Sequence, residues 1–204
     1  MSQTLTQQPS RTKKITLKDD HTVLIRDMKA ADVDRSYEFF AALPAEDRKY
    51  LRRDVTRRDV VERRIEIMRD GRVRRLVALS GKEIVADGSL DLEGHGWGDD
   101  VAEIRLIVSK PFQRLGLGRQ LARELFLLAA QHRVERIVVR MLAPQEAALS
   151  IFRKLGFHDE FLIPQHARDR EGKLQDMIIM RCNLEDLWHE MENLVEFSDF
   201  PRNW

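Results

Sequence analysis

The sequence V-A-E-I-R-L-I-V at residues 101–108 is followed by S-K-P-F-Q-R-L-G-L-G-R at 109–119 and Q-L-A-R-E-L-F-L-L-A-A-Q at 120–131. The first part is rich in β-branched residues and predicts a strand, and the last part has the apolar spacing of an amphipathic helix. No capping side chain stands at the start of that helix. Its first N–H groups therefore lack a partner and are expected to bind an anion.

The loop between strand and helix is glycine-rich. Gly116 and Gly118 lack Cβ atoms, so the backbone of residues 113–119 can approach a phosphate closely. A Walker loop would need a following G-K-[ST], and a dinucleotide fingerprint would need three spaced glycines. The spacing here instead fits Q/R-x-x-G-x-G at 113–118. Arg114 and Arg119 either add cationic contacts or are solvated side chains.

Two further segments give this loop its context. R-I-V-V-R-M-L at 136–142 predicts a buried strand, and A-L-S-I-F-R-K-L-G-F at 148–157 predicts a helix that ends at a glycine. Together the motifs resemble the acetyl-CoA-binding half of the GNAT N-acetyltransferase superfamily. The resemblance implies that loop amides hold the pyrophosphate of coenzyme A. Cofactor binding is thereby assigned to the main chain of Leu106, Ile107 and Val108 and to Gln113, Arg114, Leu115, Gly116, Leu117, Gly118 and Arg119.

The resemblance also implies the fold and the domain organisation. We expect an α/β (α+β) GNAT fold with a central mixed sheet of six to seven strands, a splayed parallel pair at the cofactor site and flanking helices. Residues 1–14 are polar and predict a flexible tail, and residues 15–183 form the acetyltransferase domain. Residues 184–204 predict an acidic, amphipathic C-terminal helix that packs on its own domain or, alternatively, contacts a partner or a second copy in a homodimer.

Composition limits the function classes. The 204 residues carry a formal net charge of +1, which implies no polyanion-binding field over the whole surface. Cys182 is the single cysteine, so no internal disulfide and no cysteine-rich metal site can form. The sequence has neither an apolar signal core nor a membrane-spanning run. We therefore expect a cytoplasmic protein without metal or membrane contact.

Glu103 is the candidate general base. An unperturbed lysine amine has a pKa of about 10.4, so acetyl transfer to it requires removal of a proton. Glu103 lies on the predicted cofactor strand shortly before Leu106, where partial burial is expected to raise its pKa toward a useful range. The alternative is an ion pair with Arg105, which shares its strand face, or a plain surface carboxylate.

The usual general acid of the family is missing. Where many GNAT enzymes have a tyrosine, this sequence has Phe152, and Gln145 stands where asparagine is common. Water or Ser150 would then have to protonate the thiolate of coenzyme A. The combination A-E-I-R-L-I-V, Q-R-L-G-L-G-R, R-M-L-A-P-Q and F-R-K-L-G-F resembles the acetyltransferase domain of bacterial protein-lysine acetyltransferases.

Two segments are candidates for the acceptor side. Residues 93–100 form a glycine-rich loop in which His95, Trp97, Asp99 and Asp100 either line an acceptor site or pack locally. Residues 44–68 predict one or two helices, the second capped by Thr56. Their arginine-rich face is either laced with i,i+4 ion pairs or forms a basic rim near the adenosine 3′-phosphate or an acidic substrate. Interleaved acids and the small net charge argue against nucleic-acid binding.

We therefore predict an N-acetyltransferase that moves an acetyl group from acetyl-CoA to a primary amine, either a protein lysine or a small molecule. A catalytically silent acyl-CoA-binding module is the alternative, because Phe152 cannot donate a proton. The acceptor depends on variable loops and terminal elements and is not encoded in the cofactor motif.

Overall fold

The protein is built around one mixed sheet. The computed structural model describes residues 12–92, 98 and 100–186. Eight strands lie in the order β1-β2-β3-β4-β5-β6-β8-β7. Their bounds are β1 Thr12–Thr16, β2 Thr22–Asp27, β3 Val73–Ser80, β4 Glu83–Leu92, β5 Val101–Val108, β6 Arg136–Leu142, β7 Asp159–Arg168 and β8 Leu174–Asn183.

One face of the sheet is covered by two helices, α4 (Leu117–Gln131) and α5 (Glu146–Lys154). The apolar positions of α4 recur at helical spacing, and Leu117, Leu121, Leu125 and Phe126 are completely buried. Gly88 of β4 lets the helix approach the sheet, because a Cβ at this position would lie 3.0 Å from Leu125 Cδ1. The large core of the protein lies between these helices and the strands.

The opposite face carries a smaller core under α1 (Val33–Ala42) and α3 (Arg58–Glu66), and the short helix α2 (Ala45–Arg48) between them in the chain has no buried residue. Phe40 of α1 and Val61 of α3 are buried there against Val77 of β3. α1 and α3 pack on β3 and β4. On the same face, β5 and β6 present the charged side chains of Glu103, Arg105 and Arg140 among apolar ones, which becomes important for the site.

The parallel pair β5 and β6 separates along its length. β5 pairs with β6 only from Val101↔Arg136 to Glu103↔Val138, whereas its antiparallel pairing with β4 continues to Val108. The backbone of residues 104–108 therefore has no pairing partner on the β6 side. The predicted splayed parallel pair is confirmed.

The fold class is confirmed, but several boundaries differ from the predictions. The sheet has eight strands instead of six to seven, because residues 12–27 supply two of them. The first strand begins at Thr12, before the predicted domain start at residue 15. The predicted Thr56 cap is wrong, since its hydroxyl donates to Asp54 and α3 begins without a side-chain cap.

Of the predicted C-terminal helix, Leu184–Asp186 are helical, and the remainder lies outside the described residues, as does the predicted tail before residue 12. Within the described ranges, none of the helices is both long and apolar enough to cross a membrane.

Candidate functional site

The loop from β5 to α4 is held by short-range hydrogen bonds. A 3-10 turn spans Lys110–Phe112, and Gln113 N–H closes it by donating to Lys110 O at 3.2 Å. The side-chain amide of Gln113 donates to Val108 O at 2.9 Å and ties the loop back to the end of β5. Gln113 therefore shapes the loop. Leu115 accepts a hydrogen bond from Lys18 N–H at its carbonyl, which fixes the loop to the β1–β2 hairpin.

The amino end of α4 has the features of an anion-binding site. Gly116 precedes the helix with φ 91°, a left-handed conformation that favours glycine, and no side chain caps the helix. A Cβ at Gly116 would meet no atom within 4 Å, so the space beside it is open. Gly118 packs near Val108 and Leu106, while Arg114 and Arg119 are exposed. Free N–H groups, an open approach and nearby cations suit an anion.

The main-chain N–H and carbonyl groups of β5 point alternately toward β4 and toward β6. Ser109 N–H donates to Val85 O, so by antiparallel alternation Ile107 directs its groups at β4. Leu106 and Val108 direct theirs toward β6, into the gap where pairing has ended. Of the three predicted cofactor-strand residues, Leu106 thus directs its N–H and carbonyl into the gap and Val108 directs its N–H there, whereas the Val108 carbonyl accepts from Gln113. Ile107 contributes its side chain to the smaller core.

Glu103 faces away from α4 and is nearly buried, with 4% of its side chain exposed. Arg52 binds the carboxylate of Glu103 in a bidentate manner. Its Nη1 donates to Oε2 at 3.1 Å, and its Nη2 donates to Oε1. Nη2 of Arg105 and Nη1 of Arg140 each donate to Oε2 at 2.9 Å. The Arg105 ion pair considered from the sequence is therefore present, and two distant arginines join it.

The expectation of a raised pKa for Glu103 is wrong. Burial alone raises the pKa of this carboxyl, but the hydrogen bonds and charges of Arg105 and Arg52 outweigh burial and hold the pKa below its ordinary value. Glu103 is therefore ionised at neutral pH. The sequence pattern revealed the burial but not the arginines, since Arg52 and Arg140 lie far from Glu103 along the chain.

The charged network extends across β4. Arg105 Nη1 lies 2.7 Å from Asp91 Oδ2. Asp87 accepts hydrogen bonds from Arg64 at 2.8 Å and from Arg75 at 3.2 Å, both on Oδ1. Desolvation lowers the pKa of Arg64 to about 10, and although Asp87 opposes this, the charges of Arg75 and Arg105 add to it.

The residues around the expected acid have structural roles. Phe152 is buried in the large core, with its ring 5.2 Å from that of Phe157 in an edge-on contact. Gln145 accepts a hydrogen bond from Leu142 N–H at 2.8 Å through its side chain and so joins the end of β6 to the start of α5. Ser150 is exposed. Phe152 has no proton to donate at this position.

The other acceptor candidates are only partly visible. Asp100 pairs with Arg136, and its carbonyl accepts the N–H groups of Glu135 and Arg136, so it joins the starts of β5 and β6. His95, Trp97 and Asp99 lie outside the described residues. The arginine-rich helices include the expected i,i+4 pair Arg58–Glu62 at 3.0 Å. In the part of the chain that is described, no group of three or more potential ligands is arranged to hold a metal ion.

The site therefore combines a splayed parallel pair, a glycine turn and an uncapped helix terminus suited to an anion. The profile of the acetyltransferase (GNAT) family matches residues 37–157. That match covers more than half of the chain, and the protein belongs to this family. No curated protein sequence gives a significant match.

Several solved structures share the fold. The GNAT domain of S. lividans PAT is 17% identical with a TM-score of 0.70, covering 84% of this chain and 96% of that one. The yncA protein of Salmonella typhimurium, solved with its cofactor acetyl-CoA, is 19% identical with a TM-score of 0.68, covering 89% and 99%. RimL, a ribosomal L7/L12 alpha-N-protein acetyltransferase solved with coenzyme A, is 15% identical with a TM-score of 0.70, covering 80% and 95%.

Proposed function

We propose that this protein transfers the acetyl group of acetyl-CoA to a primary amine, either a protein lysine or the amine of a small molecule. The observation that carries the proposal is the uncapped amino end of α4 behind Gly116, which opens beside the gap between β5 and β6. Family membership and the acetyl-CoA and coenzyme A complexes of similar folds support the same donor.

The proposed chemistry is nucleophilic attack of the amine nitrogen on the thioester carbonyl carbon, followed by cleavage of the C–S bond. Amides 117–119 at the start of α4 hold the pyrophosphate. The main-chain N–H of Leu106 or Val108, which point into the gap, donates to the carbonyl oxygen as negative charge develops there. The departing thiolate takes its proton from solvent, because Phe152 has none to give.

Glu103 is the proposed proton acceptor, acting directly or through water. Its lowered pKa keeps it in the carboxylate form but makes it a weak base toward an amine with a pKa of about 10.4. The enzyme therefore depends on the small neutral fraction of the amine. We expect the rate of transfer to rise with pH through the neutral range, following deprotonation of the acceptor.

The test is an acetyl-transfer assay over a panel of amines and lysine peptides with Glu103→Gln. We expect this variant to transfer acetyl groups about 10²-fold more slowly with unchanged acetyl-CoA affinity. Glu62→Gln on the exposed face of α3 is the matched control and should behave as wild type. An unchanged rate and pH profile for Glu103→Gln would remove it as the base.

A catalytically silent acyl-CoA-binding module is the second candidate. Two observations favour it: Phe152 lies in the core, and Glu103 is already occupied by three arginines. Tight acetyl-CoA binding without transfer to any amine of the panel would support the module and contradict the enzyme.

A further inference from the structure

Two of the arginines that hold Glu103 are open to solvent on their outer side. The side chains of Arg52 and Arg105 are 45% and 40% exposed, whereas that of Glu103 is 4% exposed. Among the described residues, the guanidinium of Arg52 bonds to Glu103 alone. A guanidinium has five N–H donors, so Arg52 keeps donors for a second acceptor. The Glu103 carboxylate is therefore buried beneath Arg52 and Arg105, and these two guanidinium groups remain accessible to solvent.

Among the residues that the structure describes, arginines outnumber carboxylates in this network. Arg140 is left out of the count because it has a further contact beyond Glu103. The remaining arginines still exceed the carboxylates by one charge. The remaining set is Arg52, Arg64, Arg75 and Arg105 against Asp87, Asp91 and Glu103.

The surplus lies beside a buried cation, Arg64. Desolvation is the main cause of the lowered pKa of Arg64; the charges of Arg75 and Arg105 add to it, and those of Asp87 and Asp91 oppose it. Clustered cations of this kind are stabilised when an anion is added, and a planar guanidinium binds a carboxylate through paired hydrogen bonds. One added carboxylate would neutralise the surplus of one positive charge.

We infer that the amine acceptor carries a carboxylate near its amine and that this carboxylate binds the outer side of Arg52 and Arg105. The inference rests on the proposed function, since it gives the acceptor class of the same site. A free amino acid and a lysine flanked by acidic residues present the same chemistry. The experiments below distinguish these two sources.

Binding of such an acceptor also affects Glu103. The acceptor carboxylate competes with Glu103 for the N–H groups of Arg52 and places a second negative charge beside it. Both changes weaken the stabilisation of the Glu103 carboxylate and make it a stronger base. The base is thereby activated only when the correct acceptor is present.

The first test measures binding and does not depend on acetyl transfer. Glutarate is titrated into the full chain while the arginine Nε–H signals are followed by NMR, with neutral glutaramide as the comparison. We expect saturable shifts of the Arg52 and Arg105 signals with glutarate only. Arg52→Gln should weaken glutarate binding at least about tenfold. Neighbouring Arg53→Gln carries the same charge change without a bond to Glu103 and should bind as wild type.

The second test measures transfer with matched acceptors. One arm compares 4-aminobutanoate with 4-aminobutanamide, and the other compares lysine tripeptides flanked by glutamate or by glutamine. For the acceptor class that the enzyme uses, small amino acid or lysine peptide, the anionic acceptor should have a kcat/KM at least about tenfold higher than its neutral counterpart. Arg52→Gln should abolish that preference.

Two results would overturn the inference: equal or better transfer to the neutral acceptors, or glutarate binding that is absent or equally reduced by Arg53→Gln. Failure of the proposed function has a different signature, namely specific glutarate binding with no transfer to any acceptor.

Discussion

The two faces of the sheet are built from different kinds of contact. On the α4 face, Leu121, Leu125 and Phe126 pack against apolar strand residues, and the ligand-binding loop uses main-chain groups. On the opposite face of β4 and β5, Asp87, Asp91 and Glu103 are held by arginines from several segments. The α4 face thus depends on apolar packing and backbone geometry, and the opposite face depends on long-range charge pairing.

This difference has a consequence for how each face responds to change. Apolar burial is stabilising at every pH and varies little with salt, whereas paired carboxylates lose their stabilising effect when they are protonated. Mutations that alter the α4 face should therefore act mainly on folding and cofactor binding. Mutations on the charged face should act on pH dependence and on the choice of acceptor.

The largest expected effect is loss of folding stability on the α4 face. Phe126 is fully buried, with its ring 6.2 Å from that of Phe157. Phe126→Ala should lower the free energy of unfolding by about 3–5 kcal/mol, measured by urea denaturation. Phe161→Ala is the control, since Phe161 is 52% exposed, and it should change stability by less than about 1 kcal/mol. Similar losses for both variants would contradict the assigned core.

A smaller and pH-dependent effect is expected on the charged face. Because the folded-state pKa of Glu103 is lowered, its stabilising effect is present above the unfolded pKa of about 4.3 and disappears as pH falls through the folded pKa. Wild type should be more stable than Glu103→Gln by about 1–3 kcal/mol at pH 7. The difference should shrink below about pH 4. A constant difference across pH would show that the ion pairs are not the cause.

The smallest effect is expected at exposed pairs of the arginine-rich helices. Arg58 bonds to Glu62 at 3.0 Å, and both side chains are about half exposed. Arg58→Gln should leave the free energy of unfolding nearly unchanged, because solvent screens the pairs of Arg58 with Glu62 and Asp34. Thermal unfolding at low and high salt would measure it, and a large change would imply that this helix face has another role.

The structure of the loop before α4 could be predicted from the sequence because its determinants are local. Gly116, the missing cap and the apolar spacing of α4 all lie in one continuous stretch, and the structure contains each of them. Glu103 was also recognised as a partly buried strand residue. Local pattern was therefore sufficient for the fold class and the shape of this loop, and its role in cofactor binding stays a prediction.

The surroundings of Glu103 were predicted less well because its contacts join distant segments. Arg52 comes from the connection between α2 and α3, and Arg140 comes from β6. No spacing rule relates these positions to Glu103, so the predicted direction of its pKa shift was wrong. Similarly, Gln145 was noted only as an unusual residue, and its hydrogen bond to Leu142 emerged from the fold.

The most direct test of the account is calorimetric titration of acetyl-CoA into wild type, Gly116→Val and Gly71→Val. Both glycines have positive φ, 91° and 78°, with no atom within 4 Å of an added Cβ, so the backbone strain is matched. Gly71 precedes β3 at the end of the sheet opposite the cofactor loop. Gly116→Val should weaken acetyl-CoA binding by about 10²-fold while Gly71→Val leaves it unchanged. Equal affinity in all three proteins would contradict the account.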